Sequence, residues 1–114
     1  MRIINQSKDT VIAENAIIAD TLLTRMRGIL GKKSFAPGSG LIITRCNSIH
    51  MFFMRFPIDV LFLDSSNKVV LALPQIKPWR ISPICWKAKF VIELPAGTIP
   101  SSNTEISDQI NILS

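Results

Sequence analysis

The chain has 114 residues, of which 47% are hydrophobic and 18% are charged. This composition excludes a disordered chain and is typical of one folded domain, so we expect a single domain over residues 1–114. A chain of this length can bury a core without disulfides or metals. Its net charge of +5 favours acidic partners such as nucleic acid, an anionic membrane or an acidic protein. The alternative is an ordinary solvated surface, because the basic residues are scattered.

The hydropathy pattern contains no membrane span and no secretory signal. No apolar run reaches the roughly 20 residues that a helix needs to cross a bilayer. The first ten residues, MRIINQSKDT, become polar too soon for a signal peptide. We therefore expect a cytoplasmic protein if the chain is full length.

The two cysteines, Cys46 and Cys85, are far apart and form no Cys-x-x-Cys motif. The chain also has a single histidine, His50, so we predict no metal site and no cofactor. Free, half-buried thiols are the simplest interpretation. A disulfide between the two is the alternative, and a cytoplasmic location disfavours it.

The first elements in chain order are two short strands and a helix. Residues 2–5 and 11–13 are apolar pieces around a polar turn, which predicts a hairpin. Asp20 or Thr21 can cap a helix over residues 20–30. Its apolar positions recur at helical spacing: Leu22, Leu23, Met26, Ile29 and Leu30.

The middle of the chain predicts strands on either side of a proline. Residues 36–40 form a flexible loop that leads into a strand over residues 41–44. Strands over residues 48–55 and 58–63 meet at Phe56-Pro57, where proline cannot donate a ladder hydrogen bond and marks a bend or bulge. Because side chains alternate along a strand, Asp59 points to the same apolar side as its neighbours two and four residues on.

The remaining segments complete a mainly β pattern. A polar turn over residues 64–67 leads into a returning strand over residues 68–73, and residues 74–83 form an irregular loop. Strands follow over residues 88–94 and 106–112, with a turn at 95–97. Seven or eight strands with one packed helix predict a mainly β (α+β), barrel-like or sandwich fold.

Several separated motifs occur in order along residues 11–112: Arg25-x-Arg27-Gly28, Asn47-Ser48-Ile49-His50, Phe53-Met54-Arg55-Phe56-Pro57-Ile58-Asp59-Val60, Lys77-Pro78-Trp79 and Val91-Ile92-Glu93-Leu94-Pro95-Ala96-Gly97-Thr98. Together they resemble the prokaryotic family called domain of unknown function 192. The resemblance implies a small, mostly β domain and supplies no reaction, substrate or cofactor. Many of these relatives carry a leader and look exported. Where the family has the second glycine of a Gly-Ile-x-x-Gly-Asp turn, this chain has Ser107, so that turn is in doubt if it needs a positive φ.

An enzyme is one candidate function. In a hydrolase or transferase, His50 would act as the general base and Asp59 as its orienting carboxylate, with Ser48 or Cys46 as the nucleophile. The chain lacks a Gly-x-Ser-x-Gly turn and has no phosphate-binding glycine motif. The structural alternatives are a His50 hydrogen-bonded between strands and an Arg55–Asp59 pair that fixes the bend at Pro57.

A binding module is the leading hypothesis. We predict a non-enzymatic binding or accessory protein that holds a small polar ligand or a protein partner. The predicted ligand-binding residues are Asn47, Ser48, His50, Arg55, Asp59, Trp79 and Arg80. A further alternative is a single-stranded nucleic-acid binder, in which Trp79 and Arg80 contact the strand together with Trp86 and neighbouring lysines. The absence of the aromatic strand motifs of RNA-binding sheets argues against it.

Overall fold

The computed structural model describes residues 1–19, 35–44 and 56–114. Within these ranges the chain forms eight strands and one short helix. They are β1 (Arg2–Asn5), β2 (Thr10–Ala13), β3 (Asn15–Ala19), β4 (Ser39–Thr44), β5 (Ile58–Leu63), β6 (Val69–Ile76), β7 (Phe90–Pro95), α1 (Thr98–Ser101) and β8 (Ile110–Leu113). The predicted helix over residues 20–30, the predicted strand over residues 48–55 and Cys46 lie outside the described residues.

A three-stranded antiparallel sheet has the order β2-β1-β8. β1 and β2 form the hairpin predicted from the sequence, with a register shift between Ile3 and Ile4. Asp9 has a φ of 56° in the connecting turn, a conformation that aspartate tolerates better than most residues. β8 pairs with the other edge of β1, so the two ends of the chain lie in one sheet.

A five-stranded sheet has the order β3-β4-β7-β5-β6. β3 is parallel to β4, and the other pairs are antiparallel. β5 lies between β7 and β6, and all six of its residues are buried. Burial on both faces explains its nearly continuous apolar sequence, IDVLFL, within which Asp59 is the only charged residue.

The two faces of the five-stranded sheet bury separate apolar clusters. One face packs against the three-stranded sheet and α1, with Ile42, Leu61 and Ile92 contributing to this inter-sheet core. The other face buries residues such as Val60 and Val91. At Gly40 the sheets approach so closely that an added Cβ would lie 3.2 Å from the Cβ of Ala13. The fold is therefore the mainly β, sandwich-like arrangement predicted from the sequence.

The structure differs from the sequence prediction in two places near the start of the larger sheet. The chain was expected to loop through residues 36–40, but β4 begins at Ser39. Gly40 is part of this strand, and the close contact with Ala13 favours a residue without a side chain at this position. β3 was not predicted, since its apolar residues do not alternate with polar ones and both Ile17 and Ile18 are exposed.

Further differences lie in the second half of the chain, where β7 begins at Phe90 and not at residue 88. β6 continues through Pro74 to Ile76 instead of ending at residue 73, because an outer strand tolerates a proline that donates no hydrogen bond. The short helix α1 was not predicted. β8 begins at Ile110, whereas the expected strand began at residue 106.

In the described part of the chain, no helix is long and apolar enough to cross a membrane.

Candidate functional site

Asp59 is the buried carboxylate at the centre of the predicted site, and its side chain is fully inaccessible to solvent. Its Oδ1 atom accepts a hydrogen bond from the backbone N–H of Gln75 at 2.8 Å. Its Oδ2 atom accepts two more, from the backbone N–H groups of Gly97 at 3.1 Å and Ile99 at 2.8 Å. Both carboxylate oxygens are therefore bonded to backbone.

The backbone around Asp59 has an irregular geometry on two sides. Ile58 pairs with Ile76 but Val60 pairs with Leu73, so the β5–β6 register shifts beside Asp59. In the bulge, Gln75 has a φ of 50°. On the other side, Gly97 has a φ of 95° and is the N-cap of α1. A bulge and a helix start both expose N–H groups that the sheet cannot satisfy, and the carboxylate accepts them.

These contacts indicate what Asp59 does to the fold. The carboxylate joins the end of β6 to the turn between β7 and α1, and charge-assisted hydrogen bonds of this kind are stronger than neutral ones. The predicted side of the strand is confirmed, since Leu61 and Leu63 lie in the inter-sheet core together with Ile99. Asp59 thus has the bonding of a group that holds backbone segments together.

The other residues predicted near Asp59 cannot be placed. Asn47, Ser48, His50 and Arg55 lie outside the described residues. The pairing of Asp59 with His50 in an enzyme and its pairing with Arg55 at the bend therefore stay predictions. The described partners of its two oxygens are all backbone N–H groups.

A second buried polar cluster joins β1 to the turn before β8. The side-chain amide of Asn5 donates to Thr104 Oγ1 at 3.0 Å and to Asp108 Oδ2 at 2.9 Å. Lys8 Nζ donates to both oxygens of Asp108 at 3.0 Å and to Glu105 at 3.0 Å. These bonds connect the first and last turns of the chain.

The ionisation of this cluster follows from its contacts. Burial alone would raise the pKa of Asp108, but hydrogen bonds from Asn5, the Glu105 backbone and Lys8 together lower it below its usual value. The hydrogen bond to Asp108, followed by that to Glu105, raises the pKa of Lys8. The cluster is therefore an ion pair held in place by neutral donors. Sequence reasoning missed it because its members are about 100 residues apart.

The turn that was in doubt forms with serine at the family's glycine position. Ser107 has a φ of 79° and Asn103, at the start of the same turn, has a φ of 55°. The backbone N–H of Ser107 donates to the carbonyl of Val69 at 2.7 Å. The turn therefore does need the left-handed backbone that glycine adopts without strain, and the serine adopts it.

Trp79 and Arg80 lie in a long connection between β6 and β7, here called the basic aromatic loop and defined as residues 77–89. Four large apolar side chains of this loop are mostly exposed. Trp79, Ile81, Ile84 and Trp86 expose 60%, 67%, 54% and 79% of their surface, respectively. The same loop carries four exposed basic residues: Lys77, Arg80, Lys87 and Lys89. No aspartate or glutamate occurs between Asp64 and Glu93, so the loop combines apolar surface with unmixed positive charge.

The basic aromatic loop is attached to the face of the large sheet that points away from the three-stranded sheet. Ser82 and Ala88 are buried, and half-buried Cys85 packs against the same cluster as Ala88. Backbone bonds run from Ala88 N–H to Cys85 at 2.9 Å and from Lys89 N–H to Leu63 at 2.8 Å. Cys85 is a free thiol, as predicted. The exposed side chains are thus carried by a loop with fixed attachment points.

Two open grooves lie elsewhere on the described surface. One has a volume of about 380 Å³ and is lined by residues of α1 and the following turn together with Pro74. The other, of about 400 Å³, lies between β2 and the β7–α1 turn. Neither is lined by Asp59, Trp79 or Arg80. Among the residues that the structure describes, no group of three or more histidine, cysteine or acidic side chains could hold a metal.

The fold and these contacts define a small mainly β protein with a backbone-bonded carboxylate and one basic, aromatic surface loop. The chain belongs to the DUF192 family, whose model carries the description "Uncharacterized ACR" and matches residues 3–112. It is 42% identical over 113 residues to a UPF0127 protein of Thermococcus sibiricus, covering 96% of this chain and 73% of that one. The family resemblance drawn from the motifs is therefore confirmed.

Two solved structures share the fold. A protein of unknown function from Novosphingobium aromaticivorans superposes with a TM-score of 0.82 at 16% identity, covering 97% of this chain and 82% of that chain. A protein from Sinorhizobium meliloti described as a "putative transcription regulator" superposes with a TM-score of 0.75 at 23% identity, covering 96% and 89%. At these identities the similarity extends to the fold alone.

Proposed function

We propose that this protein is a small non-enzymatic binding module that contacts an anionic partner through the basic aromatic loop. One observation carries the proposal. Trp79, Ile81, Ile84 and Trp86 are all more than half exposed within a stretch of eight residues. Exposed apolar residues are ordinary when they are scattered, but a concentrated group of them usually marks an interaction site.

The residue types of the loop support this proposal. Tryptophan and arginine are enriched among the residues that dominate binding energies, because they combine a large apolar area with a polar group. Trp79 and Arg80, which the sequence prediction included in the ligand-binding set, both belong to the loop. Lys77, Lys87 and Lys89 add positive charge within residues 65–92, a stretch of the sequence that contains no aspartate or glutamate. An anionic partner would therefore be attracted before contact and held by apolar burial after it.

The contacts of Asp59 support a scaffold role for the rest of the site. Among the described residues, its carboxylate accepts hydrogen bonds from three backbone N–H groups, and it has no solvent exposure. A general base needs an orienting carboxylate that can bond to its imidazole. Asp59 is better suited to fixing the backbone of β6 and α1, so we place the contact surface on the loop.

Tryptophan fluorescence offers a direct test, because both tryptophans of the chain are in the loop and the chain has no tyrosine. The protein would be titrated at low salt with three anionic probes: polyglutamate, oligothymidine and phosphatidylglycerol vesicles. We expect at least one probe to change the emission spectrum, and added salt to weaken that effect. If none of the three changes the emission, the proposed function is wrong.

A further inference from the structure

We infer that the partner of the basic aromatic loop is the surface of an anionic lipid bilayer, on which the loop docks without crossing it. The inference rests on the proposed function and makes it specific. It is argued from the apolar and basic residue types of the loop, because lipid surfaces, proteins and nucleic acids are bound by different combinations of residue types.

The aliphatic residues of the loop argue against nucleic acid as the partner. A single-stranded nucleic acid is bound by stacking of bases on aromatic rings and by cations along the backbone. Trp79 and Trp86 could supply the rings. Ile81 and Ile84 can neither stack on a base nor donate a hydrogen bond, yet they expose 67% and 54% of their surface. Aliphatic side chains gain free energy by leaving water for an apolar medium, which the acyl region of a bilayer provides.

The basic residues of the loop argue for lipid over an acidic protein. Three of the four are lysines and one is Arg80. Lysine is depleted in protein–protein interfaces, whereas arginine is enriched there. At an anionic membrane, each lysine or arginine near the surface contributes about equally through its charge. A lysine-rich set around exposed tryptophan and isoleucine therefore fits a lipid surface better than a protein surface.

The construction of the loop fits insertion to a shallow depth. Ser82 and Ala88 are buried in the protein, and Cys85 between them is half-buried. Ile84 and Trp86 lie in the intervals between these attachment points, and Trp79 and Ile81 directly precede the first of them. Tryptophan favours the boundary between headgroups and acyl chains, and lysine can extend its ammonium group to the headgroups while its stem stays apolar. The same loop can thus place apolar side chains at the boundary of the acyl chains and ammonium groups among the headgroups.

Vesicle binding tests the inference with the intact chain. The protein would be mixed with vesicles of phosphatidylcholine alone and with vesicles of phosphatidylcholine and phosphatidylglycerol in equal proportion, then sedimented. We expect sedimentation with the anionic vesicles only, a blue shift of tryptophan emission, and quenching by lipids brominated along their acyl chains. Raising the salt concentration should reduce binding, because headgroup attraction is screened.

Two loop variants and two matched controls locate the binding surface. Trp86→Ser removes the most exposed tryptophan and should weaken binding roughly tenfold or more. Ile106→Ser removes another exposed apolar residue, 58% exposed, that precedes β8 of the opposite sheet, and it should leave binding unchanged. Lys87→Gln should weaken binding about fivefold. Arg2→Gln lowers the net charge by the same amount in β1, where Arg2 pairs with Glu14 at 3.0 Å, and it should have no comparable effect.

The outcomes separate this inference from the proposed function. Absence of sedimentation with anionic vesicles at low salt overturns it. Equal binding to both vesicle types overturns it as well, and so does equal weakening by the loop variants and their controls. An emission change with polyglutamate or oligothymidine but not with vesicles also overturns the lipid inference, while the proposed function stands. Circular dichroism of each variant confirms that it is folded.

Discussion

Asp59 and the basic aromatic loop depart from the usual distribution of polar and apolar groups, and they do so in opposite directions. Asp59 is a charged residue with no solvent exposure, whereas Trp86 is a large apolar residue with 79% exposure. A buried charge is unfavourable unless hydrogen bonds compensate its desolvation, and three backbone N–H groups do so for Asp59. In the described part of the chain, no buried side-chain nitrogen or oxygen lacks a hydrogen-bond partner.

This difference in solvent exposure separates residues that stabilise the fold from residues that are exposed and can contact a partner. Asp59 joins three backbone segments, so its removal should be felt throughout the structure. Trp86 and Ile84 extend from the loop into solvent, so their removal should change the surface but not the fold. The following variants test that separation, beginning with the one of largest expected effect.

Replacing Asp59 with alanine should cause the largest loss of stability. The variant would leave the N–H groups of Gln75, Gly97 and Ile99 without their acceptor. Ile99 is buried and Gly97 is half-buried, and an unsatisfied buried donor costs about 1–3 kcal/mol. We expect the free energy of unfolding in urea to fall by about 3–5 kcal/mol. Asp64→Ala is the control, since Asp64 accepts the N–H groups of Ser66 and Lys68 in an exposed turn and should lose only about 1 kcal/mol. Equal losses of stability in the two variants would contradict the conclusion that Asp59 holds distant backbone segments together.

Acid should weaken the second polar cluster through Asp108. The pKa of Asp108 in the folded protein lies below its usual value, so the folded state binds its proton more weakly than the unfolded state does. The carboxylate therefore contributes stability above the unfolded pKa of about 3.9, and this contribution disappears as the pH falls through the lower folded pKa. Urea unfolding between neutral and acid pH should show a steeper loss for the natural protein than for Asp108→Asn. Parallel curves would contradict the assignment.

Replacing Ser107 with glycine should stabilise the protein modestly. Ser107 has a φ of 79° and is exposed, so the substitution relieves backbone strain without removing a buried group. The gain should be about 0.5–1 kcal/mol, because the relief of roughly 1–2 kcal/mol is partly offset by the larger entropy of glycine in the unfolded chain. Ser66→Gly changes an exposed turn serine that is not among the positive-φ residues, and thermal unfolding should show no gain. A lower melting temperature for Ser107→Gly would contradict this reading.

Replacing Trp86 with serine should have the smallest effect on stability. A side chain that is 79% exposed contributes little to the core, so the free energy of unfolding should change by less than about 0.5 kcal/mol. Together with the loss of vesicle binding proposed above, this result would separate binding from folding at one residue. A loss comparable to that of Asp59→Ala would show that the loop is part of the folded core instead.

The site was predictable in part from local patterns. The alternation of side chains along residues 58–63 placed Asp59 on the apolar side of its strand, and the structure confirms that side. Its bonding partners could not be predicted, because they are backbone N–H groups 16 to 40 residues away in sequence. They are available only because β6 bulges at Gln75 and α1 begins after Gly97. The sequence predicted a bend or bulge at Phe56-Pro57, but it did not predict the bulge at Gln75.

The basic aromatic loop was also predictable only in part from the sequence. The grouping of Trp79, Trp86 and their basic neighbours is visible in the sequence, and it led to the prediction that Trp79 and Arg80 bind a ligand. Composition cannot tell whether a tryptophan is buried or exposed, since both environments are common for this residue. In the structure, Trp79 and Trp86 are 60% and 79% exposed, whereas the small residues Ser82 and Ala88 of the same loop are buried.

The sequence by itself determined the mainly β class, the hairpin of β1 and β2, the central buried strand β5 and the family. Each of these depends on patterns within about ten neighbouring residues or on motifs in a fixed order. Only the tertiary structure decided that β3 lies parallel to β4, that Asp59 bonds to the bulge in β6 and to the turn before α1, and that Lys8 pairs with Asp108. These features arise from contacts between segments that are far apart in the chain, and such contacts exist only after the sheets have packed.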